Sequence, residues 1–349
     1  MSLVTTLAVR GLTLFGVLMA VLLLVVIALG ATGFSDRMLH ATINEELRGL
    51  RQSLAQTIRD PDQLEQALSL QREELVRYYH LDKPWYFRLP DMVRRVLTFD
   101  LGEARTLRSF EGSSRVSDIV RERLLNTVLL VTTASIITAI LGLLIGPKLA
   151  SQAGSRLDRT ACLFLAFSYA LPAWWMGIFL ILAFSFKFNL FPTGGMYSLP
   201  PPPGGIDRLF DLLWHAALPI ITLVLVSFGS WTYIVRTMVL NTAQESFVSV
   251  ARAKGLPEQL IRRRYIIRVA APPIVTNLML GLAGSIGGAI LTETVFNWPG
   301  MGRLYYDAVL AADESVIVAL TFIFTLIYII ARFILEILYV ILDPRIRYA

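Results

Sequence analysis

Few residues of this chain have the types and spacing that catalysis requires. The three histidines, His40, His80 and His215, are far apart in the sequence, and the single cysteine, Cys162, cannot form an internal disulfide. Residues 142–148 read GLLIGPK and lack the spacing of a phosphate-binding loop. We therefore expect no catalytic residue, no metal site and no cofactor bound by this chain.

Two ionisable residues lie within the last apolar stretch of the sequence. Arg332 and Glu336 are four positions apart, so on a helix they share one face and are close enough to pair. Ionisable residues inside a membrane span are functional candidates, and both a pore-lining role and a structural ion pair are open for these two. Pro172 and Pro219 lie within two other apolar stretches and are expected to loosen the helices there, which makes them candidate pore or gate residues.

The composition indicates an integral membrane protein. Of the 349 residues, 55% are hydrophobic and 17% are charged, and the mean hydropathy is +0.61. A soluble globular chain averages about 25% charged residues. The composition therefore argues against a soluble enzyme or a nucleic-acid-binding protein, and it excludes a disordered chain and a secreted disulfide scaffold. Six stretches have the roughly 20 mostly apolar residues of a transmembrane helix; they are 12–33, 124–146, 161–186, 212–235, 274–292 and 316–342.

The distribution of basic residues predicts the orientation in the membrane. Lysine and arginine outnumber aspartate and glutamate between the second and third stretches and between the fourth and fifth, and the tail carries Arg345 and Arg347. The positive-inside rule assigns these loops and both termini to the cytoplasm. A secretory signal peptide is an alternative for the first stretch, although its apolar core exceeds the about 7–15 residues usual in such peptides.

Segment 34–123 is too long for a simple connection, and we expect it to form a helical extracytoplasmic cap. Two sets of apolar residues at helical spacing, separated by Asp60-Pro61-Asp62, predict two helices. The first set is Leu47, Leu50, Leu54 and Ile58, and the second is Leu64, Ala67, Leu68 and Leu75. The predicted organisation is a first transmembrane helix at 1–33, the insertion at 34–123, and a five-helix core at 124–349 with a cytoplasmic loop at 236–273.

The cytoplasmic loop is the most informative segment. It predicts a short helix that begins at Ser249 and stops at Gly255, and Pro257 prevents that helix from continuing. Because Ala251, Ala253 and Gly255 are small, another surface can approach them closely. Two interpretations fit the loop: its basic residues lie on anionic lipid head groups, or its short helix docks on a cytoplasmic partner.

The loop resembles the coupling loop of ABC importer permeases, whose pattern is Glu-Ala-Ala, three residues and then Gly. Ala251 and Gly255 match this pattern, whereas Ser249 and Val250 replace its glutamate and its first alanine. The run Ala251, Arg252, Ala253, Lys254, Gly255 and Leu256 resembles the form used by the oligopeptide, dipeptide and nickel branch of these permeases. Other segments that resemble the branch follow in the expected order; they are 99–102, 122–124, 168–172, 215–219, 293–304 and 342–348.

The resemblance implies an all-α ABC importer permease fold with six transmembrane helices. Such a permease forms half of a translocation pore, a second homologous permease forms the other half, and an extracytoplasmic binding protein delivers the substrate. ATP and magnesium bind to two cytoplasmic ATPase subunits, so this chain is not an enzyme by itself. The residues implied to couple to an ATPase are Ser249, Val250, Ala251, Arg252, Ala253, Lys254, Gly255 and Leu256.

The resemblance also implies that Glu293 lies near the outer mouth of the pore, as a candidate gate or binding-protein contact. We expect Asp307 and Asp313, in the same external loop, to be solvated. The expected location is a bacterial or archaeal plasma membrane. The expected substrates are di- and oligopeptides, with oligosaccharides and nickel chelates as alternatives, because several positions depart from the branch's pattern.

Two other classes of membrane protein would leave different signals in the sequence. An ATP-independent secondary transporter would show inverted repeats and charged sites at mid-membrane, and the sequence offers no convincing repeat and one Arg–Glu pair. A membrane enzyme would need clustered histidine, aspartate or cysteine at the membrane face, which the scattered histidines do not supply. The secondary transporter is the alternative from another class.

Overall fold

The computed structural model describes residues 3–342 except 57, 59, 88, 89, 91–93, 95–97, 99, 105 and 312. Within these residues the fold is built from helices, and an isolated antiparallel bridge joins Glu103 to Arg115. The α-helices longer than one turn are α1 (Leu3–Ala31), α2 (Phe34–Leu54), α3 (Pro61–Tyr78), α4 (Val116–Ser151), α5 (Arg156–Ala170), α6 (Ala173–Leu180), α7 (Gly205–Ala243), α8 (Ser246–Ala253), α9 (Arg268–Gly288), α10 (Ile290–Val295), α11 (Met301–Leu310) and α12 (Glu314–Leu342). π-Helical segments follow α6 at Ile181–Lys187 and precede α9 at Ile261–Ile267.

Four of these helices, α1, α4, α7 and α12, are long and apolar enough to cross a membrane. A fifth candidate is α5 together with α6 and its π-helical extension, whose two parts meet at 93°. The bend lies at Pro172, because a residue that precedes proline avoids the helical conformation, and Leu171 is accordingly extended. The interruption expected at Pro172 is confirmed, whereas α7 continues through Pro219.

The fifth predicted stretch, 274–292, is divided between α9 and α10, which are separated at Ala289. It is not among the candidate spans found in the described residues. Those residues therefore provide four of the six predicted spans, or five if the bent pair counts as one.

The chain folds as two compact units. One comprises Met1–Leu12, Val120–Asp307 and Leu326–Ala349, and we refer to it as the first unit. The second unit comprises Thr13–Ile119 and Ala308–Thr325. The three-part division drawn from the sequence stays a prediction.

In the second unit, α2 and α3 form the helical pair predicted for the insertion. The Asp60 carboxylate accepts a hydrogen bond from the Asp62 backbone N–H at 3.1 Å, and Pro61 occupies the first helical position. An ion pair of 3.4 Å between Arg51 and Glu65 links the two helices at their exposed side. The predicted break and restart of the helix is confirmed.

Asp313, also in the second unit, is buried, with 1% of its surface exposed. Its Oδ2 accepts a hydrogen bond from the backbone N–H of Thr106 at 3.2 Å. The expectation that Asp313 is solvated was wrong, because the fold buries its carboxylate and supplies a backbone donor from a segment distant in sequence. Asp307, in the first unit, is half-buried and lies 3.7 Å from the guanidinium of Arg303.

In the first unit, glycines allow three helices to pack closely. A Cβ at Gly146 of α4 would lie 2.7 Å from Cγ1 of Val235 in α7. A Cβ at Gly229 of α7 would lie 3.0 Å from the carbonyl carbon of Leu165 in α5. Small residues at such crossings let the helix backbones approach each other. The chain passes from this packed group directly into α8.

Candidate functional site

The short helix predicted in the cytoplasmic loop is α8, which ends in a Schellman motif. The backbone N–H of Leu256 donates to the carbonyl of Ala251 at 3.3 Å, and that of Gly255 donates to Arg252 at 2.9 Å. Gly255 has a φ of +72°, a left-handed conformation that glycine adopts without a steric penalty. A Cβ at Gly255 would meet no atom within 4 Å. This glycine therefore serves the end of the helix rather than a close contact within the chain.

Helix α8 is amphipathic and begins at Ser246, earlier than the sequence indicates. Val248 and Ala251 are buried, at 0% and 3% exposure, in a core cluster that includes Val239 and Ile261. The other side chains of α8 are exposed; they include Phe247, Ser249, Val250, Arg252 and Ala253. Lys254, which follows the helix, is exposed as well. Ala251 contacts the chain's own core, which corrects the expectation that its small side chain lets another surface approach.

The end of α8 is tied to the segment that follows it. The Arg252 Nε donates to the Glu258 Oε1 at 2.7 Å, and both side chains remain exposed. Leu256 packs, partly buried, against the same core cluster. The structure thus brings the eight predicted coupling residues together as one helix and its terminal turn. Their contact with an ATPase stays a prediction.

A second set of polar contacts surrounds Glu293 of α10, which is fully buried. Its Oε1 accepts a hydrogen bond from the hydroxyl of Thr127 in α4 at 2.7 Å, and its Oε2 accepts one from the Arg303 backbone N–H in α11 at 3.0 Å. The Thr127 hydroxyl in turn accepts from the Met301 backbone N–H at 2.7 Å. One carboxylate and one hydroxyl therefore connect three helices.

The surroundings of Glu293 act on its pKa in opposite directions. Burial raises the pKa of the carboxyl above its ordinary value, while hydrogen bonds from Thr127 and from the backbone at Arg303 lower it. A Cβ at Gly300 would lie 2.5 Å from the Glu293 Cδ, so this glycine leaves room for the carboxylate. The enclosed side chain presents no surface to a binding protein in this conformation, and a gate role for Glu293 stays a prediction.

Neighbouring residues extend this cluster between α4 and the segment before α11. The Trp298 indole N–H donates to the Asn126 carbonyl at 3.1 Å, and the Asn126 amide donates to the Pro299 carbonyl at 2.8 Å. The sequence singled out 293–304 but not Asn126 and Thr127, because Thr127 precedes Glu293 by 166 positions. The signal in the sequence that could have identified Asn126 and Thr127 is that they are two adjacent polar residues near the start of the apolar stretch 124–146.

The predicted pair of Arg332 and Glu336 is present, with 3.8 Å between Nη2 and Oε1. The Nη1 of Arg10 lies 3.7 Å from the same oxygen. Glu336 is buried, at 6% exposure, and the positive charges of these two guanidinium groups offset the negative charge of its carboxylate. Arg10 was missed because it lies at the other end of the chain. The pore-lining role of the pair stays a prediction.

A further ion pair, between Asp158 of α5 and Arg236 of α7, was not among the predicted site residues. Both carboxylate oxygens accept from the guanidinium at 2.6 Å, and the Oδ2 also accepts from the Gly154 backbone N–H at 2.9 Å. This two-bond geometry is the strongest arrangement for such a pair. The signal in the sequence was that Asp158 is the only acidic residue in an otherwise basic loop.

A cavity of about 380 Å³ lies between α4, α7 and α9 in the first unit. Its polar lining is uncharged and consists of Ser135, Thr138, Ser227, Ser230 and Asn277. Ala173, next to Pro172, also lines it, whereas Pro219, Glu293, Arg332 and Glu336 lie outside its lining. Among the residues that the structure describes, no three His, Cys, Asp or Glu side chains gather in a metal-binding group.

Comparison with known proteins identifies the family. The family model described as binding-protein-dependent transport system inner membrane component matches residues 127–348. The oligopeptide transport system permease protein AppB of Bacillus subtilis is 29% identical over 277 residues, which cover 79% of this chain and 85% of AppB. The di/tripeptide transport system permease protein DppB of Pseudomonas aeruginosa is 31% identical over 282 residues, which cover 77% of this chain and 82% of DppB.

One solved structure, of the MetNI methionine ABC transporter in inward facing conformations, matches with a TM-score of 0.45 and 14% sequence identity. The match covers 64% of this chain and 97% of the other. The family model alone spans more than half of the sequence, and the described residues include several helices suited to cross a membrane. This chain therefore belongs to the binding-protein-dependent transport system inner membrane components, the multi-pass permease subunits of ABC transporters.

Proposed function

We propose that this chain is the permease subunit of an ATP-driven importer of peptides. The observation that carries the proposal is the exposed apolar face of α8, where Phe247 and Val250 stand on a helix that Val248 and Ala251 anchor in the core. Exposed apolar side chains on an anchored helix suit docking on another protein. The names of AppB and DppB, an oligopeptide and a di/tripeptide permease, support peptides as the substrate.

In this proposal α8 sits in a cleft of one of two ATPase subunits, which bind ATP and magnesium. Closure of the ATPases pushes α8, and the shared core of Val248 and Val239 transmits the movement to α7. ATP and peptide must have different affinities for the inward-open and outward-open states, since otherwise no work is coupled. A second permease supplies the other half of the pore, and an extracytoplasmic binding protein delivers the peptide.

The proposed location is the plasma membrane of a bacterium or an archaeon, with both termini in the cytoplasm. The basic residues of the loop at 236–273 support this orientation, because positively charged loops remain on the cytoplasmic side. The same orientation gives α8 access to cytoplasmic ATPases and gives the insertion at 34–123 access to the binding protein.

The first test is to purify the tagged chain in mild detergent and identify the proteins that accompany it. We expect a second permease and one or two ATPases. The reconstituted complex with its binding protein should then import trialanine only with ATP, and an oligosaccharide and a nickel chelate should compete poorly. Uptake by the chain alone without ATP would instead establish a secondary transporter.

A variant tests the role assigned to α8. Phe247→Ser together with Val250→Ser removes the exposed apolar face and leaves the anchor residues in place, so co-purification of the ATPases should be lost. Leu199→Ser is the matched control, because Leu199 is 95% exposed and lies outside the loop. Unchanged ATPase recovery with the double variant would refute the docking role of α8.

A further inference from the structure

A second cavity, of about 610 Å³, lies beside α8 in the first unit. Its floor is apolar and includes the buried residues Ala150, Val239 and Ile266. Its rim is polar and exposed, and includes Gln259 and Arg262. The two exposed apolar residues of α8 that we assign to ATPase docking are not part of its lining. The cavity is therefore amphipathic and separate from Phe247 and Val250, although Arg252 of the predicted coupling residues lies on its rim.

The rim carries one positive charge in excess. Arg252 and Glu258 both line the cavity, but they are paired with each other at 2.7 Å. Arg262 is exposed, and in the described part of the chain no carboxylate forms an ion pair with it. A guanidinium group binds phosphate oxygens through two parallel hydrogen bonds. The rim is thus suited to a phosphate-bearing ligand.

The position of the cavity matches the boundary between head groups and acyl chains. It is lined by residues near the ends of two helices suited to cross a membrane; they are Pro147, Ala150 and Ser151 of α4 and Val239, Leu240 and Ala243 of α7. The apolar core of a bilayer is spanned by roughly 20 helical residues, so the last residues of these longer helices lie beyond it, at the polar head groups. Ala150 and Val239 each lie four residues beyond the predicted spans 124–146 and 212–235, about 6 Å along the helix axis, and so between the head groups and the start of the acyl chains.

We propose that this cavity binds an anionic phospholipid, with its phosphate on Arg262 and an acyl chain on the apolar floor. Basic pockets between spanning helices bind head groups of this kind. A free phosphate would leave the apolar floor uncovered, and a neutral lipid would leave the excess charge unbalanced. The bound lipid would contact Arg252, the last basic residue of α8. The proposal does not depend on the substrate of the transporter.

The test uses the purified full-length chain and two variants that lose the same charge. Native mass spectrometry measures the binding of palmitoyl-oleoyl phosphatidylglycerol to wild type, Arg262→Gln and Arg264→Gln. Both arginines are exposed and lie in the same π-helical segment, but only Arg262 lines the cavity. We expect Arg262→Gln to weaken binding about tenfold, as the loss of a charged hydrogen bond predicts, and Arg264→Gln to bind as wild type does. Equal affinities of the two variants would overturn the proposal.

A third variant and two competitors distinguish the remaining possibilities. Gln259→Trp should abolish binding by filling the cavity without a change of charge. Phosphatidylcholine with the same acyl chains should bind more weakly than phosphatidylglycerol, and equal binding would overturn the proposal. Displacement of the lipid by inorganic phosphate would reveal a simple anion site. Loss of ATPase co-purification in Arg262→Gln, with unchanged lipid binding, would assign the cavity to a protein interface.

Discussion

At the residue scale, the contact between Asp158 and Arg236 has a large expected effect on stability. Replacing Asp158 with Asn leaves the Arg236 guanidinium, whose side chain is only 12% exposed, without its counter-charge, so Asp158→Asn should lower the free energy of unfolding by about 3 kcal/mol. The measurement is denaturant unfolding of the purified chain in detergent. The hydrogen-bond lengths of 2.6 Å and the burial of Asp158 support this magnitude.

The matched control is the exposed pair of Arg252 and Glu258, whose distance of 2.7 Å is nearly the same. Exposed pairs contribute no more than about 1 kcal/mol because water and salt screen them. Glu258→Gln should therefore change stability little. Similar losses of unfolding free energy for Asp158→Asn and Glu258→Gln would show that burial does not strengthen the contribution of the Asp158–Arg236 pair.

Gly255 provides the second prediction at the residue scale. A β-branched side chain at its φ of +72° costs about 1–2 kcal/mol, whereas asparagine tolerates this conformation. Gly255→Val should leave the chain inserted in the membrane but abolish ATP-dependent uptake, because the end of α8 is distorted. Gly255→Asn should retain most of the uptake.

The measurement for Gly255 is peptide uptake normalised to the amount of chain in the membrane. Normal uptake by Gly255→Val at normal abundance would contradict the coupling assignment. Equal loss in both variants would show that the side chain, and not the backbone conformation, matters at this position.

At the scale of elements, Thr127 of α4 holds the start of α11. Met301 is the first residue of α11, and its N–H belongs to the turn that has no partner within its own helix. Thr127→Val keeps the shape of the side chain but removes its hydroxyl. That hydroxyl donates a hydrogen bond to the Glu293 carboxylate and accepts one from the Met301 backbone N–H. We expect a loss of about 1–3 kcal/mol in local stability.

Hydrogen exchange at the Met301 amide measures this effect, which should appear as faster exchange. Thr294→Val is the control, because the Thr294 hydroxyl donates to the carbonyl of Ile290 in its own helix, at 2.8 Å. Unchanged exchange at Met301 in Thr127→Val would refute the connection between α4 and α11.

At the scale of the whole molecule, the predicted orientation separates the insertion from the loop that carries α8. In a Cys162→Ala background, Ser69→Cys tests the insertion and Lys254→Cys tests the loop, since both positions are exposed. A membrane-impermeant maleimide should label Ser69→Cys in intact spheroplasts and Lys254→Cys only after permeabilisation. Labelling of both from outside would contradict the positive-inside assignment.

Several features follow from contiguous residues and were predicted correctly. Asp60, Pro61 and Asp62 encode the start of α3, Gly255 and Pro257 encode the end of α8, and Pro172 encodes the bend between α5 and α6. Each depends on local backbone preferences or capping, which a few neighbouring residues determine. Hydropathy likewise predicted four of the helices suited to cross a membrane, or five with the bent pair, because about 20 apolar residues in succession are a property of the sequence itself.

The contacts that join distant segments were decided only by the tertiary structure. Asp158 and Arg236 are 78 positions apart, and Thr127 and Glu293 are 166 positions apart. Helical periodicity determines which residues share a face of one helix. It does not determine which faces of different helices pack together, or the position along the helix axes at which they meet. That packing determines the buried carboxylates, the split at Ala289 and both cavities. It depends on contacts made throughout the folded chain, so no short segment of the sequence reveals it.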